Sequence, residues 1–592
     1  MTRFSHGALL GLALFALIGC GRAPQPAAPN AAKSAAPSEP LGRIVERYWA
    51  ERVDTEDVIA PQLLADALNV ERRYLAEVRG VARDGLDADS RRTYDIFTRQ
   101  RELTIEGFTF PTELLPINPF GGMPLELAAA AADAGQYPLT SAAEFDSWLR
   151  RIDEYVSWTR QATANMREGV RRGYILPRAL VERMLPILER LGADGPGNVF
   201  YTPLHSMPAA IKEPRRSQLT KIISATVSEK LLPANRALHD FLRNEYLPRA
   251  RAGLALSELP LGAAWYAYRI KRATSTNLTA DEVHRIGIAE VERLRARTPP
   301  LRDAALAPAS GAAGPGPAAP GAAAPGAAAP GAAAHPAAAP LAADELLQAY
   351  RELAVRVRAA IPGLFAEVPS GDFDIRATAW IGEPATALSY RPPGPAASPP
   401  AVLYVNTGAA ARAVSISSFL TQAVPGRYFQ IAVQQERVEL PRFRRFGTEA
   451  VFTDGWGLYA ALQGEQLGLY SDEAEKLDAA AAEMRCAVAL VIDTGLHAKG
   501  WTRTQALDYL HAHLAVDDGD AQALIDWYAA NPADALACKM GEIRFQALRV
   551  RAQQQLAGRF DIRGFHTEIL KDGAMPLDIL EAKMIVWMDG LK

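Results

Sequence analysis

Few side chains in this sequence are spaced for chemistry. Its nine histidines never fall in a His-Glu-x-x-His pattern. His511 and His513 stand two apart, about 200° around a helix, so they do not face one metal. His566 and Glu568 share that fault. Cys486 and Cys538 have no base beside them in sequence. No Gly-x-Ser-x-Gly turn exposes a nucleophilic serine, and no glycine-rich phosphate loop is present. The stretch with a site-like backbone is 417–430, Ser-Ser-Phe-Leu-Thr-Gln-Ala-Val-Pro-Gly-Arg-Tyr-Phe-Gln. It reads as a helix interrupted at Pro425-Gly426. A proline inside a helix costs about 3 kcal/mol and a glycine up to about 1 more, so the pair marks a backbone held in a special shape. Yet Thr421, Gln422, Arg427 and Tyr428 around the break include no carboxylate, thiol or imidazole.

The elements that must position this stretch are mostly helical. From residue 42 to about 297, apolar residues recur at three- and four-residue spacing, as in Ile44, Tyr48 and Val53, then Leu63, Leu64 and Leu68. Ser141 with Glu144, and Thr279 with Glu282, are capping boxes that open helices. Residues 306–340 interrupt the pattern with near-repeats of Gly-Ala-Ala-Ala-Pro. Proline at that spacing forbids a long helix and the stretch lacks large apolar side chains, so it reads as a disordered surface insertion. Helix resumes over 343–360. Residues 373–390 and 401–406 change character, and Ala-Val-Leu-Tyr-Val-Asn reads as a buried strand of a small sheet leading into 417–430. Beyond Pro441 the pattern is helical to the end. Thr502 with Gln505 starts one helix, Asp534 caps the next, Gly558 closes it, and Pro576 sits at the start of the last.

The N-terminus carries an address. Arg3 precedes an apolar run over 8–18, too short to span a bilayer and suited to a signal-peptide core. Leu17-Ile18-Gly19-Cys20 then resembles a bacterial lipobox. Residues 1–19 are thus a lipoprotein signal peptide, Cys20 the lipidated mature N-terminus, and 20–41 an Ala/Pro-rich tether. The remaining 42–592 form the folded body around the insertion. Half of the chain is apolar, and 64 basic residues nearly balance 67 acidic ones, which gives no sign of nucleic-acid binding. Cys486 and Cys538 lie in predicted helix interiors with nothing to bring them together, and are read as unpaired core residues.

The C-terminal half carries a series of ordered blocks. Ala-Val-Pro-Gly-Arg-Tyr-Phe-Gln (423–430) precedes Leu-Pro-Arg-Phe-Arg-Arg-Phe-Gly (440–447), Asp-Gly-Trp-Gly-Leu-Tyr (454–459) and Asp-Thr-Gly-Leu-His (493–497). Ala-Leu-Ala-Cys-Lys-Met-Gly-Glu (535–542) and Asp-Gly-Ala-Met-Pro-Leu-Asp (572–578) follow. Together they resemble the bacterial family of domain of unknown function 885, whose members look like helical zinc metallopeptidases. The family's central motif is His-Glu-x-x-Pro-Gly-His-His with a downstream Glu-Gly-Trp-x-Leu-Tyr. Zinc needs three ligands from His, Asp and Glu, and a nearby Glu deprotonates the bound water. On this chain the His-Glu pair falls on Thr421 and Gln422, the His-His pair on Arg427 and Tyr428, and the downstream Glu on Asp454.

The resemblance therefore implies a frame with altered chemistry. Thr421 is a poor ligand, Gln422 lacks the carboxylate of a general base, and Arg427 brings a permanent cation where a metal should sit. Asp454 alone keeps ligand chemistry and is placed to pair with Arg427. His497 is either a retained cleft contact or a hydrogen-bonded structural histidine. Cys538 stands where the family usually has a tyrosine. The expected fold is mostly α, a bilobed metallopeptidase-like body with a small β-sheet beside the Thr421 helix and a cleft between lobes. The expected protein is a lipid-anchored, periplasm-facing envelope lipoprotein without catalytic residues, zinc or other cofactor, which binds a peptide or envelope partner. The alternatives are a hydrolase with a non-standard metal site around Asp454, and a purely structural envelope protein.

Overall fold

The computed structural model describes residues 39–53, 58–132, 139–298, 341–377, 388–394, 401–407 and 414–592. Cys20, the signal and lipobox residues, most of the tether and the 306–340 insertion lie outside them. The described chain is mostly helical, with one three-stranded sheet. The capping boxes form as the sequence predicts. Ser141 and Glu144 open Ala142–Arg172, Thr279 and Glu282 open Ala280–Arg297, and Thr502 and Gln505 open Arg503–His513. Each box satisfies N–H groups that a helix start leaves without intrahelical partners.

Some local expectations differ. Asp534 does not cap the helix Leu536–Leu556; its carboxylate accepts from Arg269 Nη2 at 2.9 Å, and Ala535 is the cap residue. A tertiary ion pair has claimed the side chain that local reasoning gives to the helix end. That helix closes at Ala557, with φ of 46°, one residue before Gly558. Leu63 does not face the core and is 51% exposed.

The sheet comprises β1 (Asp374–Ala377), β2 (Leu388–Arg391) and β3 (Val402–Val405) in the order β1-β3-β2. β3 runs parallel to β1, with Asp374 opposite Val402, and antiparallel to β2, with Leu388 opposite Val405. Val402, Leu403 and Val405 are buried, as the apolar run of a central strand requires. The apolar interior divides into three clusters. One joins the N-terminal helices to the C-terminal half through Phe97, Phe443 and Trp456. A second lies among the helices between residues 117 and 246, around Phe145, Trp148 and Tyr155. The third surrounds the helix Glu473–Lys499, through Val488, Ile492 and Leu524.

Two cysteines correct the sequence reading. Cys486 and Cys538 form a disulfide, their Cα atoms 6.0 Å apart. Their helices, Glu473–Lys499 and Leu536–Leu556, pack against each other. That juxtaposition brings together residues separated by 52 positions, which sequence spacing alone does not reveal.

Candidate functional site around Arg427 and Asp454

The 417–430 stretch folds as two helices meeting at a break. Ile416–Gln422 begins with Ser415, whose hydroxyl accepts from Ser418 N–H, and Arg427–Glu436 follows after four residues. Gly426 is required at the break. A Cβ there would lie 2.1 Å from Thr421 O and 2.2 Å from Leu420 O. The break is braced by a third helix, Ala450–Ala461, whose Trp456 Nε1–H donates to Pro425 O at 2.8 Å. That helix crosses Leu536–Leu556 so closely that a Cβ on Gly541 would sit 2.0 Å from Val451 O. Asp454 is carried on this tightly held element.

Of the five positions singled out by resemblance, Arg427 and Asp454 meet and Thr421 packs beside Arg427 at Gly457, each with chemistry of its own. Thr421 Oγ1 donates to Ser417 O at 2.8 Å, so the hydroxyl is spent on its own helix. Gln422 is 3% exposed, and its amide has no hydrogen-bond partner among the described residues. Arg427 Nη1 donates to Asp454 Oδ1 in an ion pair whose side chains are 15% and 8% exposed. Burial raises the Asp454 pKa, and the Arg427 charge opposes that rise. Arg427 Nε is buried without a partner. Leaving such a donor unmet costs about 1–3 kcal/mol, so it calls for an explanation. Tyr428 is buried, donates its hydroxyl to Gly371 O and packs on Phe373 with ring centres 4.6 Å apart. Beside it, Tyr390 has its ring 5.6 Å from that of Tyr428 and a buried hydroxyl with no partner.

These residues do not fit a zinc ion. A neutral threonine hydroxyl is a poor zinc ligand, the guanidinium brings its own positive charge, and the lone carboxylate is paired with it.

The Asp493–His497 block is a structural hub. Asp493 accepts from Tyr266 Oη at 2.6 Å and from Ala533 N–H, which lies 3.0 and 3.1 Å from its two oxygens; burial pushes its pKa up to about 7. Thr494 Oγ1 meets His284 Nδ1 at 2.8 Å. His497 is fully buried. Its Nε2–H donates to Tyr528 O at 3.0 Å, and its Nδ1 accepts from Leu256 N–H at 3.0 Å. A carbonyl can only accept and an N–H only donate, so the ring is neutral with both nitrogens occupied. Burial accordingly pushes its pKa down to about 4. Of the two readings of His497, this geometry is the structural one. The other histidines named above are equally apart from any shared metal. His511 lies 3.4 Å from Asp518, whereas the His513 ring packs against Tyr509 at 4.4 Å and a 48° tilt. His566 is held between Tyr459 Oη and Leu364 O.

Sequence reasoning misses a second charged cluster. Lys539 is fully buried, with Nζ 2.7 Å from Glu542, 2.9 Å from Glu483 and 3.0 Å from Glu290. Arg293 Nη2 reaches both Glu290 and Glu483 at 2.7 Å. The three carboxylates converge as ligands of a cation would, and the lysine ammonium supplies that cation. Burial works against the charge of Lys539, but the surrounding carboxylates hold its pKa above the ordinary value. Glu449, at the start of the Asp454 helix, is the other residue that spacing does not flag. It is half-buried, its carboxyl has no hydrogen bond among the described residues, and burial pushes its pKa up to about 7.

The family model described as bacterial protein of unknown function (DUF885) matches residues 50–584. The chain belongs to this family. Its fold is shared with a predicted lipoprotein from Colwellia psychrerythraea, at a TM-score of 0.76 and 20% identity, over 93% of this chain and 99% of that one. A predicted lipoprotein of unknown function from Shewanella oneidensis is similar at a TM-score of 0.57 and 14% identity, covering 92% and 97% of the two chains. No curated protein matches. In this member of the DUF885 family, the site just described is an ion pair set at a helix break.

Proposed function

We propose that this chain is an envelope lipoprotein, anchored through Cys20 and facing the periplasm, whose metallopeptidase-like frame has lost zinc catalysis. It works by binding a peptide or an envelope protein in a cleft between two lobes, with no cofactor, no nucleic acid and no membrane contact other than the lipid. The observation that carries this reading is the Arg427–Asp454 ion pair, a guanidinium bonded to the one carboxylate that could have served as a ligand. The lipobox-like Leu-Ile-Gly-Cys supports the anchor. Among the described residues, no helix is long and apolar enough to cross a membrane.

Metal analysis of the purified protein tests the loss of zinc. No stoichiometric zinc is expected. One zinc per chain, removed by a chelator together with a peptidase activity, would overturn the proposal. Restoring Thr421→His, Gln422→Glu, Arg427→His, Tyr428→His and Asp454→Glu together is expected to create zinc binding, measured by the same analysis. A second reading is a working hydrolase with a non-standard metal site around Asp454, the one carboxylate at the helix break. Under that reading a peptidase activity disappears in Asp454→Asn; under the first there is none to lose.

A further inference from the structure

A guanidinium has two edges. Arg427 spends Nη1 on Asp454, while the Nε/Nη2 edge makes no hydrogen bond among the described residues. That edge is a planar fork of two N–H groups whose spacing matches the two oxygens of a carboxylate. Tyr390 supplies a second unspent donor. Its hydroxyl is buried without a partner, and its ring lies 5.6 Å from that of Tyr428, the residue next to Arg427. Two unspent donors, one on β2 and one on the helix Arg427–Glu436, therefore lie beside Tyr428. Buried donors of this kind are normally satisfied, and a ligand oxygen is what would satisfy them.

We propose that Arg427 is a carboxylate receptor, taking a carboxylate on its free Nε/Nη2 edge with the Tyr390 hydroxyl as a further donor. The inference rests on the binding reading above and names the group recognised. A fixed guanidinium stands where the family resemblance expects a metal, and it attracts the same electron-rich oxygens without polarising them for hydrolysis. Charge decides between anions. Arg427 and Asp454 sum to zero, so the pair offers no net charge to offset the larger desolvation cost of a dianion such as phosphate, whereas a monoanion gains the fork hydrogen bonds at a smaller cost. The carboxylate comes either from a peptide C-terminus or from an acidic side chain.

Calorimetric titration separates these sources. The probes are acetyl-trialanine as the free acid, acetyl-trialanine amide, acetyl-Ala-Asp-Ala amide and inorganic phosphate, each added to the purified full-length protein. The free acid or the aspartate peptide is expected to bind at least roughly tenfold more tightly than acetyl-trialanine amide, the factor a charge-assisted hydrogen bond supplies. Preference for the free acid alone assigns the C-terminus; equal binding of both acids assigns a general carboxylate site. Arg427→Lys keeps the charge but removes the fork and is expected to abolish the acid-over-amide preference. Tyr390→Phe leaves the ion pair intact and is expected to weaken the acid severalfold. The inference is overturned if the amide binds as well as the acids, if phosphate binds more tightly than they do, if neither acid binds, or if both variants keep the preference. Equal binding of acid and amide would sink the carboxylate receptor while leaving peptide binding standing. Stoichiometric zinc would instead remove the binding reading itself.

Discussion

At the scale of single residues, Arg427 and Asp454 depend on each other more than on anything around them. Removing one partner of a buried pair leaves an uncompensated charge, whereas removing both leaves ordinary apolar packing. Arg427→Met is expected to destabilise the fold by about 3–5 kcal/mol, and Arg427→Met with Asp454→Leu to recover most of that loss. Urea denaturation of the two single variants and the double variant measures it; a single-variant cost under about 1 kcal/mol would show the pair to be loosely solvated. The buried histidines carry a pH signature. His497 and His566 have pKa values pushed by burial to about 4, below the ordinary 6.5. The unfolded chain binds their protons first as pH falls, so the stability they contribute is complete above about pH 6.5 and is lost toward pH 4. Each shift corresponds to roughly 3 kcal/mol. Asp493 and Glu449 act in the opposite sense, since their raised pKa values make stability fall as pH climbs toward 7. Comparing melting temperatures from pH 7 to pH 4 isolates one member. His566→Gln is expected to melt lower at neutral pH but to show a shallower acid-side decline than the parent.

At the scale of elements, the site is held by crossings that tolerate no bulk. The Asp454 helix meets Leu536–Leu556 at Gly455 and Gly541, and Leu536–Leu556 is in turn stapled to Glu473–Lys499 by Cys486–Cys538. The disulfide thus fixes the wall behind Asp454. For residues separated by 52 positions, loop-closure entropy gives about 4 kcal/mol of stabilisation. Reduction, or Cys538→Ser with Cys486→Ser, is expected to lower the denaturation midpoint accordingly and leave the secondary structure intact. No change in midpoint would mean that the helix packing alone carries the junction. The Lys539 cluster works at the same junction, joining Ala280–Arg297, Glu473–Lys499 and Leu536–Leu556 through charge.

At the scale of the whole molecule, the fold outlasts its sequence. At 20% identity the Colwellia psychrerythraea structure still superposes at a TM-score of 0.76, so the frame places weak demands on side-chain identity. Function is not inherited with that frame and must be argued from the site. The proposed anchor is the property that acts on the molecule as a unit. Cys20→Ser is expected to release the protein from the membrane fraction on cell fractionation. Retention of the variant in membranes would place the attachment elsewhere.

What the sequence by itself determined is local or serial. Capping boxes such as Ser141 with Glu144 are legible because their partners are three residues apart, and the β3 run because its burial shows in composition. The Pro425-Gly426 break is legible because proline breaks a helix interior and glycine disfavours it. The Arg427–Asp454 pair is foreseeable only because resemblance assigns both residues to one centre. Tertiary structure decided the rest. Cys486 meets Cys538, Asp534 turns to Arg269 instead of capping a helix, three glutamates close on Lys539, and His497 spends both nitrogens on distant backbone groups. Each depends on which helix faces surface next to each other across long stretches of chain, a choice made by packing and not written in the spacing of the residues that meet.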